Sequence, residues 1–283
     1  MNDRSPNLSR RAFLGMQALA LSAALGGCAR QEEDDAAEGP RGARSLEEIQ
    51  SSGYVNIGIS SDARPLSFLN KRGNYDGMDQ YCALYLASKL KVAPVYVSVD
   101  LYDRYDALLS GTIDLAVSHM SPQDRRADEV VFSQRVYSLK LGIVSPSDAR
   151  IESVDQLADG ELIVCEDSYA QQYAAETWPN VATRAYNSLS DAYGALKSGH
   201  GAAMLSDELT LAAWVKRHAG YALGMKEIGD ARTIAPAIAP GMDDYLEILD
   251  DAVASFISGG WRSKAYTSDV KPNVSGDYSS LFK

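Results

Sequence analysis

The sequence predicts an α/β protein built as two lobes, each a mostly parallel sheet flanked by helices. Three observations carry the prediction. Strand-like and helix-like segments alternate from Ser45 onward, the alternation runs once to Val117, and it restarts near Leu139. A length of 283 residues, 46% hydrophobic and 23% charged, supplies core for one large domain or for two lobes.

In the first series, residues 54–59 place Val55, Ile57 and Ile59 at period two, a strand. Met78, Tyr81, Cys82, Tyr85 and the pair Lys89 and Leu90 fall at three and four spacing, so 78–90 is an amphipathic helix. A β-branched strand over 92–99 follows, then a short helix over 104–110 closed by Gly111, then an apolar strand over 113–117. In the second series, 139–144 and 162–165 read as strands. Residues 169–177 form a helix stopped before Pro179, and 189–198 a helix ended by Gly199. A strand over 202–205, a helix over 207–218 and an extended segment over 233–239 come next. Residues 242–257 close the regular structure as a helix with Leu246, Leu249, Val253 and Ile257 on one stripe.

The first 27 residues read as a targeting segment rather than as fold. Ser9-Arg10-Arg11-Ala12-Phe13-Leu14-Gly15 resembles the twin-arginine export motif and leads into an apolar run of about 14 residues, too short for a transmembrane helix. The run ends in Leu25-Gly26-Gly27-Cys28, which resembles a bacterial lipobox with Cys28 as the lipidated residue; an ordinary signal peptide with a chance cysteine is the alternative. Residues 28–45, charged and without apolar periodicity, read as a solvated tether. A lipid-anchored domain exported to the outer face of the cytoplasmic membrane is the expectation.

The formal net charge is −11, and without residues 1–27, which carry Asp3 against Arg4, Arg10 and Arg11, it is −13. Such a surface repels phosphate backbones and argues against nucleic acid as a partner. Cys82 and Cys165 allow one disulfide in an exported chain, but two buried thiols in different lobes are the preferred reading. His119, His200 and His218 are isolated and no metal-ligand spacing or phosphate loop occurs, so neither a metal nor a cofactor is expected.

The stretch from Ser118 to Ser133 follows the 113–117 strand, and ligands of open α/β sheets settle beyond the carboxyl ends of strands. Arg126 offers a planar fork for a carboxylate, and Ser121 a hydroxyl to assist it. The alternative is a surface arginine in a charged loop.

Six pieces, in order, resemble the solute-binding proteins of polar amino-acid ABC importers: 58–68, 73–79, 108–114, the block from Arg126 to Ser133, 154–157, and Leu196-Lys197-Ser198-Gly199 leading to Ser206-Asp207-Glu208. The resemblance implies the two-lobed periplasmic binding protein type II fold, with a hinge of two crossing strands. It places lobe 1 at 46–138 and 234–283, and lobe 2 at 139–233. It also implies an interlobe cleft that closes on its ligand, a monomer, and ABC permease and ATPase subunits as partners. By position in the family's motifs, Arg126 clamps the ligand α-carboxylate with help from Ser121. Backbone N–H groups at Ser168 and Tyr169 meet the same carboxylate, and Asp207 takes the α-ammonium. Simple helix capping is the alternative for both Ser168 and Asp207.

Residues 211–218, 224–229 and 234–237 resemble the cysteine-binding branch in particular, in which an arginine at the position of Arg104 would receive a ligand side-chain carboxylate or thiolate; a solvated first-turn arginine is the alternative. The chain departs from the family at Ala63 and Arg64, at His119, and at Asp167, preceded by Glu166, where a glycine usually opens the lobe 2 helix. Asp167 would either compete for the helix N–H groups or contact a second ammonium, and His119 would bond the ligand or fill space. The expected function is capture of a small polar amino acid, cysteine or cystine first and an acidic amino acid next. A non-transport sensor and a dehydratase-like enzyme drawing on Glu166 and Asp167 are the alternatives.

Overall fold

The computed structural model describes residues 42–157 and 160–283. The expected signal peptide, the lipidation site at Cys28 and most of the expected tether lie outside the described residues.

The chain enters through helix α1 (Leu46–Ser52), whose Ser45 and Glu48 form a reciprocal capping box and whose end is turned by Gly53 at φ 74°. The last tether residues are docked rather than solvated. Arg44 engages the buried Asp114 carboxylate with Nε and Nη2, and its guanidinium lies 4.5 Å over the Tyr54 ring. Asp114 also accepts from Asn56 N at 2.6 Å, which pins the start of strand β1 (Tyr54–Ile59).

A small antiparallel sheet follows, made of β2 (Asp62–Ala63), β3 (Ser67–Leu69) and β4 (Tyr75–Asp76). Helix α2 (Met78–Leu90) then packs on β1 through Cys82, Ala83, Leu86 and Leu90. Its N-cap is Gly77, at φ 114°; a Cβ there would lie 2.4 Å from Leu66 O. That approach lets the carbonyls of Pro65 and Leu66 accept the first helical N–H groups in place of a capping side chain.

Strand β5 (Ala93–Ser98), helix α3 (Arg104–Leu109), β6 (Leu115–Ala116) and β7 (Val131–Phe132) complete the first run. The second run holds β8 (Tyr137–Pro146), β9 (Leu162–Cys165), α4 (Tyr169–Thr177), β10 (Thr183–Tyr186), α5 (Leu189–Lys197), β11 (Ala203–Asp207), α6 (Glu208–Val215) and β12 (Tyr221–Ile234). Strand β13 (Ala237–Ile238), helix α7 (Asp243–Ser258) and α8 (Trp261–Ala265) return to the first sheet's side.

Two five-stranded sheets result, ordered β5-β1-β6-β13-β7 and β10-β9-β11-β8-β12. In each, four strands run the same way and one, β13 in the first sheet and β8 in the second, runs against them. The chain passes between them twice, side by side: Ser133 N donates to Pro236 O and Val136 N to Ile234 O, both at 2.9 Å. The fold is therefore two-lobed, with two crossing strands as its hinge. Beyond α8, a turn of π-helix and two short 3-10 segments return to this crossing, where the Phe282 ring stacks on Tyr137 with centroids 5.3 Å apart.

Several elements depart from the sequence reading. Strands β2, β3, β4 and β10 and helix α8 were not expected. The extended segment read over 233–239 is divided between the sheets: Thr233 and Ile234 end a 14-residue strand that starts at Tyr221, and Ala237–Ile238 form β13. Three register shifts interrupt β12, around Glu227 at φ 51° and Gly229 at φ 69°, so its side chains never alternate cleanly. Cys82 and Cys165 are buried free thiols, in α2 and β9.

Candidate ligand site

The loops that leave β6, β9 and β11 meet between the lobes. On the first-sheet side, residues 118–124 form a tight loop braced by Arg104. This guanidinium is 1% exposed; Nη1 donates to Ser118 O at 3.0 Å and His119 O at 3.3 Å, and Nη2 to Asp124 Oδ2 at 2.9 Å. Tyr105 OH (3.1 Å) and Ser121 N (3.0 Å) reach the same oxygen. Arg104 is thus not a solvated first-turn residue; its Nη1 and Nη2 hold protein groups within lobe 1, while Nε is buried without a partner among the described residues.

Ser121 is fully buried. Its Oγ donates to Gln123 Oε1 and accepts from Gln123 N, and Gln123 Oε1 also accepts from Thr233 N at 3.0 Å, which ties the loop to β12. Arg126, expected beside it, sits on the rim with its side chain 23% exposed. Nε and Nη2 fork onto Glu129 at 2.8 Å each, Nη2 reaches Asp106 at 2.7 Å, and the guanidinium lies 5.2 Å over the Tyr105 ring. The bonds from Glu129 and Asp106 push its pKa further up, so it stays charged. Arg126 and Ser121 share no partner among the described residues.

His119 takes φ 58° and turns its ring inward, where Nε2 lies 3.3 Å from Asp79 Oδ2. Tyr137 OH donates to Asp79 Oδ1 at 2.6 Å. These residues, with Cys82 and Ser118, line a cavity of about 10 Å³ at the hinge, room for a single water. Burial pushes the Asp79 carboxyl up to about 7, against the Tyr137 bond and with help from the Asp207 charge. Burial, then the charges of Arg104 and Arg232, push His119 down to about 3. Below about pH 7 the pair is therefore a protonated carboxyl facing a neutral imidazole.

On the second-sheet side, Ser168 Oγ donates to Cys165 O at 2.6 Å and accepts from Gln171 N at 3.1 Å, which makes it the N-cap of α4. Asp167, at φ 49°, pairs across the cleft with Arg125 Nη2 at 2.5 Å, and its own N–H goes to Gln171 Oε1, so it does not cap the helix. A second link across the cleft runs from Ser190 N to Asp62 Oδ2 at 2.8 Å. Asp207 ends β11, yet its side chain makes no cap bond to α6. That helix is anchored instead by Trp214, stacked between Tyr193 at 4.8 Å and His218 at 4.1 Å.

The sequence reading missed the residue that engages Asp207. Arg232, near the end of β12 and 5% exposed, donates from Nη2 to Asp207 Oδ1 at 2.5 Å. Its Nη1 lies 3.5 Å from His119 O and 3.6 Å from Asp124 Oδ1, and its guanidinium is 5.2 Å over the Tyr169 ring. Burial works to lower its pKa, but the Asp207 and Asp124 charges leave it raised. No motif marks it; the only sequence signal is a lone arginine two residues before the hinge crossing. Among the described residues no group of His, Cys, Asp or Glu could hold a metal, and no helix is long and apolar enough to cross a membrane.

Two α/β lobes on a double hinge, with charged and aromatic side chains from both meeting in the cleft, define a receptor that encloses a small solute. The profile of the bacterial extracellular solute-binding proteins, family 3, matches residues 55–268, and the chain belongs to that family. A glutamine-binding protein of Geobacillus stearothermophilus is 27% identical over 220 residues, 74% of this chain and 84% of that one. The L-cystine-binding protein TcyJ of Escherichia coli is 22% identical over 256 residues, 90% of this chain and 92% of that one. The solved solute receptor for L-cysteine of Neisseria gonorrhoeae superposes with a TM-score of 0.82 at 26% identity, covering 85% of this chain and all of that one. A cysteine-binding protein from Campylobacter jejuni gives 0.79 at 29%, over 82% and 95%. Other similar proteins range from a lysine/arginine/ornithine-binding protein to an ancestral amino-acid-binding precursor of cyclohexadienyl dehydratase.

Proposed function

We propose that the chain captures a small polar amino acid between its lobes, cysteine or cystine first and an acidic amino acid next, and delivers it to the permease and ATPase of an ABC importer. The observation that carries this reading is likeness over nearly the whole folded chain to two receptors described as binding cysteine and to one described as binding cystine. The cleft supplies matching chemistry. Arg126 is the carboxylate fork, and a ligand carboxylate would displace Glu129 from it. Asp207 Oδ2, without a partner among the described residues, is the acceptor for the ammonium. Arg104 acts through Asp124 and the 118–124 loop rather than by touching ligand. Tyr169 and Asp167 line the lobe 2 wall. Glu166 and Asp167, the residues a dehydratase-like reading would use, are engaged by Gln171 and Arg125.

The test is a thermal-shift screen of purified chain, unfolded and refolded to strip carried-over ligand, against all amino acids and cystine. Ligand at about 100 times its dissociation constant adds roughly 2.7 kcal/mol and raises the midpoint by several degrees. A single strong shift with cysteine, cystine or an acidic amino acid is expected; no shift with any amino acid overturns the reading. Anchoring through Cys28 belongs to the same proposal. Cells fed labelled palmitate should label the chain, and Cys28→Ala should abolish the label and release the protein from membranes.

A further inference from the structure

We propose that Arg232 is a built-in cation that occupies the cationic subsite of the cleft and so excludes lysine- and arginine-type ligands, leaving neutral and acidic amino acids as the receptor's class. The inference rests on the reading of the cleft as an amino-acid site and names what that site rejects.

The surroundings of Arg232 are those that hold a guanidinium ligand. Asp207 accepts from Nη2 at 2.5 Å, Asp124 Oδ1 stands 3.6 Å from Nη1, the His119 carbonyl lies 3.5 Å from it, and the Tyr169 face lies beneath at 5.2 Å. Carboxylates, a carbonyl and an aromatic face drawn from both lobes make a cation cage. Here the cation is covalently attached, arriving on the end of β12. Two acidic side chains then meet two guanidiniums, Arg104 on Asp124 and Arg232 on Asp207. The oxygens left open are Asp207 Oδ2 and the buried Asp124 Oδ1, which stands 3.6 Å from Arg232 Nη1 without a hydrogen bond; the first takes one α-ammonium, and Arg232 covers the second against a further cation. Moreover, a cationic side chain entering the cleft would face the Arg232 charge at 5% exposure, where water screens it little.

The experiment empties the cage and offers it a free cation. Wild type, Arg232→Ala, Arg232→Gln and the double variant Arg232→Ala/Asp207→Asn are titrated calorimetrically with methylguanidinium, L-arginine, L-cysteine and L-cystine. Arg232→Ala is expected to bind methylguanidinium and L-arginine at least tenfold more tightly than wild type, Arg232→Gln to gain L-arginine binding, and the double variant to lose the gain. Should Arg232→Ala be unstable alone, millimolar methylguanidinium is expected to restore its unfolding midpoint. Folded single variants that bind these cations no better than wild type, an unstable one that methylguanidinium does not rescue, or a double variant that keeps the gain, would each overturn the proposal. Wild type that binds L-arginine or L-lysine tightly also overturns it while leaving the amino-acid reading in place. Wild type that binds no amino acid, together with a methylguanidinium gain in Arg232→Ala, supports the cage and fails the amino-acid reading.

Discussion

Two arginines of this chain meet carboxylates in opposite settings. Arg126 sits on the lobe 1 rim, forked onto Glu129 and touching Asp106, all of them within reach of water. Arg232 is buried between the lobes with Asp207 and Asp124. On the rim, exchanging one carboxylate for another costs little, because water screens the pairs and solvates whatever is released. In the interior, removing either partner strands a charge that has already lost its hydration. In the proposed site the rim pair is therefore the one that would exchange for a ligand, and the buried one would fix the charge that a ligand meets.

The largest effect should separate the two on stability. Asp207→Ala is expected to lower unfolding free energy by about 3 to 5 kcal/mol, against about 0 to 1 for Asp106→Ala, in urea titrations of both. Equal losses would erase the distinction. Next comes affinity: Arg126→Ala is expected to weaken binding of the ligand found in the screen by about two decades while moving the urea midpoint little. Retained affinity would make Arg126 only a rim brace and send the search for the carboxylate clamp elsewhere.

The hinge pair gives a pH signature that neither arginine shares. Asp79 is raised to about 7 in the fold, so the stability tied to its proton is full below the ordinary carboxylate range and is lost as pH rises through about 7. His119 is lowered to about 3, so its contribution is present above the ordinary imidazole value and is lost as pH falls towards 3. The two slopes oppose each other between about pH 4 and 6.5. Asp79→Asn leaves only the His119 slope, and its stability should rise with pH across that window more steeply than wild type, by on the order of 1 kcal/mol per pH unit. Parallel curves for the two proteins would mean that Asp79 is ionised throughout. The smallest effect is on the rim. Glu129→Gln removes the carboxylate that competes for the Arg126 fork and should tighten ligand binding about threefold to tenfold by calorimetry; weaker binding would show that Glu129 aims the fork.

Much of the frame was legible because its signals are local. Residues 54–59, 78–90, 162–165 and 169–177 carry the bounds the structure has, the first two from their period, the third from a short apolar run and the last from the stop before Pro179. Strand β12 was not, because left-handed residues at Glu227 and Gly229 break the alternation on which a strand reading depends. The site divides the same way. Ser168 is the cap its neighbours suggested and Glu129 lies three residues from Arg126, while Asp106 reaches Arg126 from 20 residues away and Arg125 reaches Asp167 from 42. Arg232 and Asp207 are 25 apart. Such charge pairing is a property of the folded arrangement, and a lone arginine gives no sign of which acid it will meet.

The ring of Phe282 lies against Tyr137, at the start of one of the two strands that cross between the lobes. That places Phe282 and Lys283 beside the crossing of the two strands. An environment-sensitive dye attached at Lys283 would sit next to the crossing, where any lobe movement on ligand binding would change the local angle. The receptor can in this way be read optically without touching the cleft, and a bulky fusion at the same place would load the crossing instead of trailing behind it.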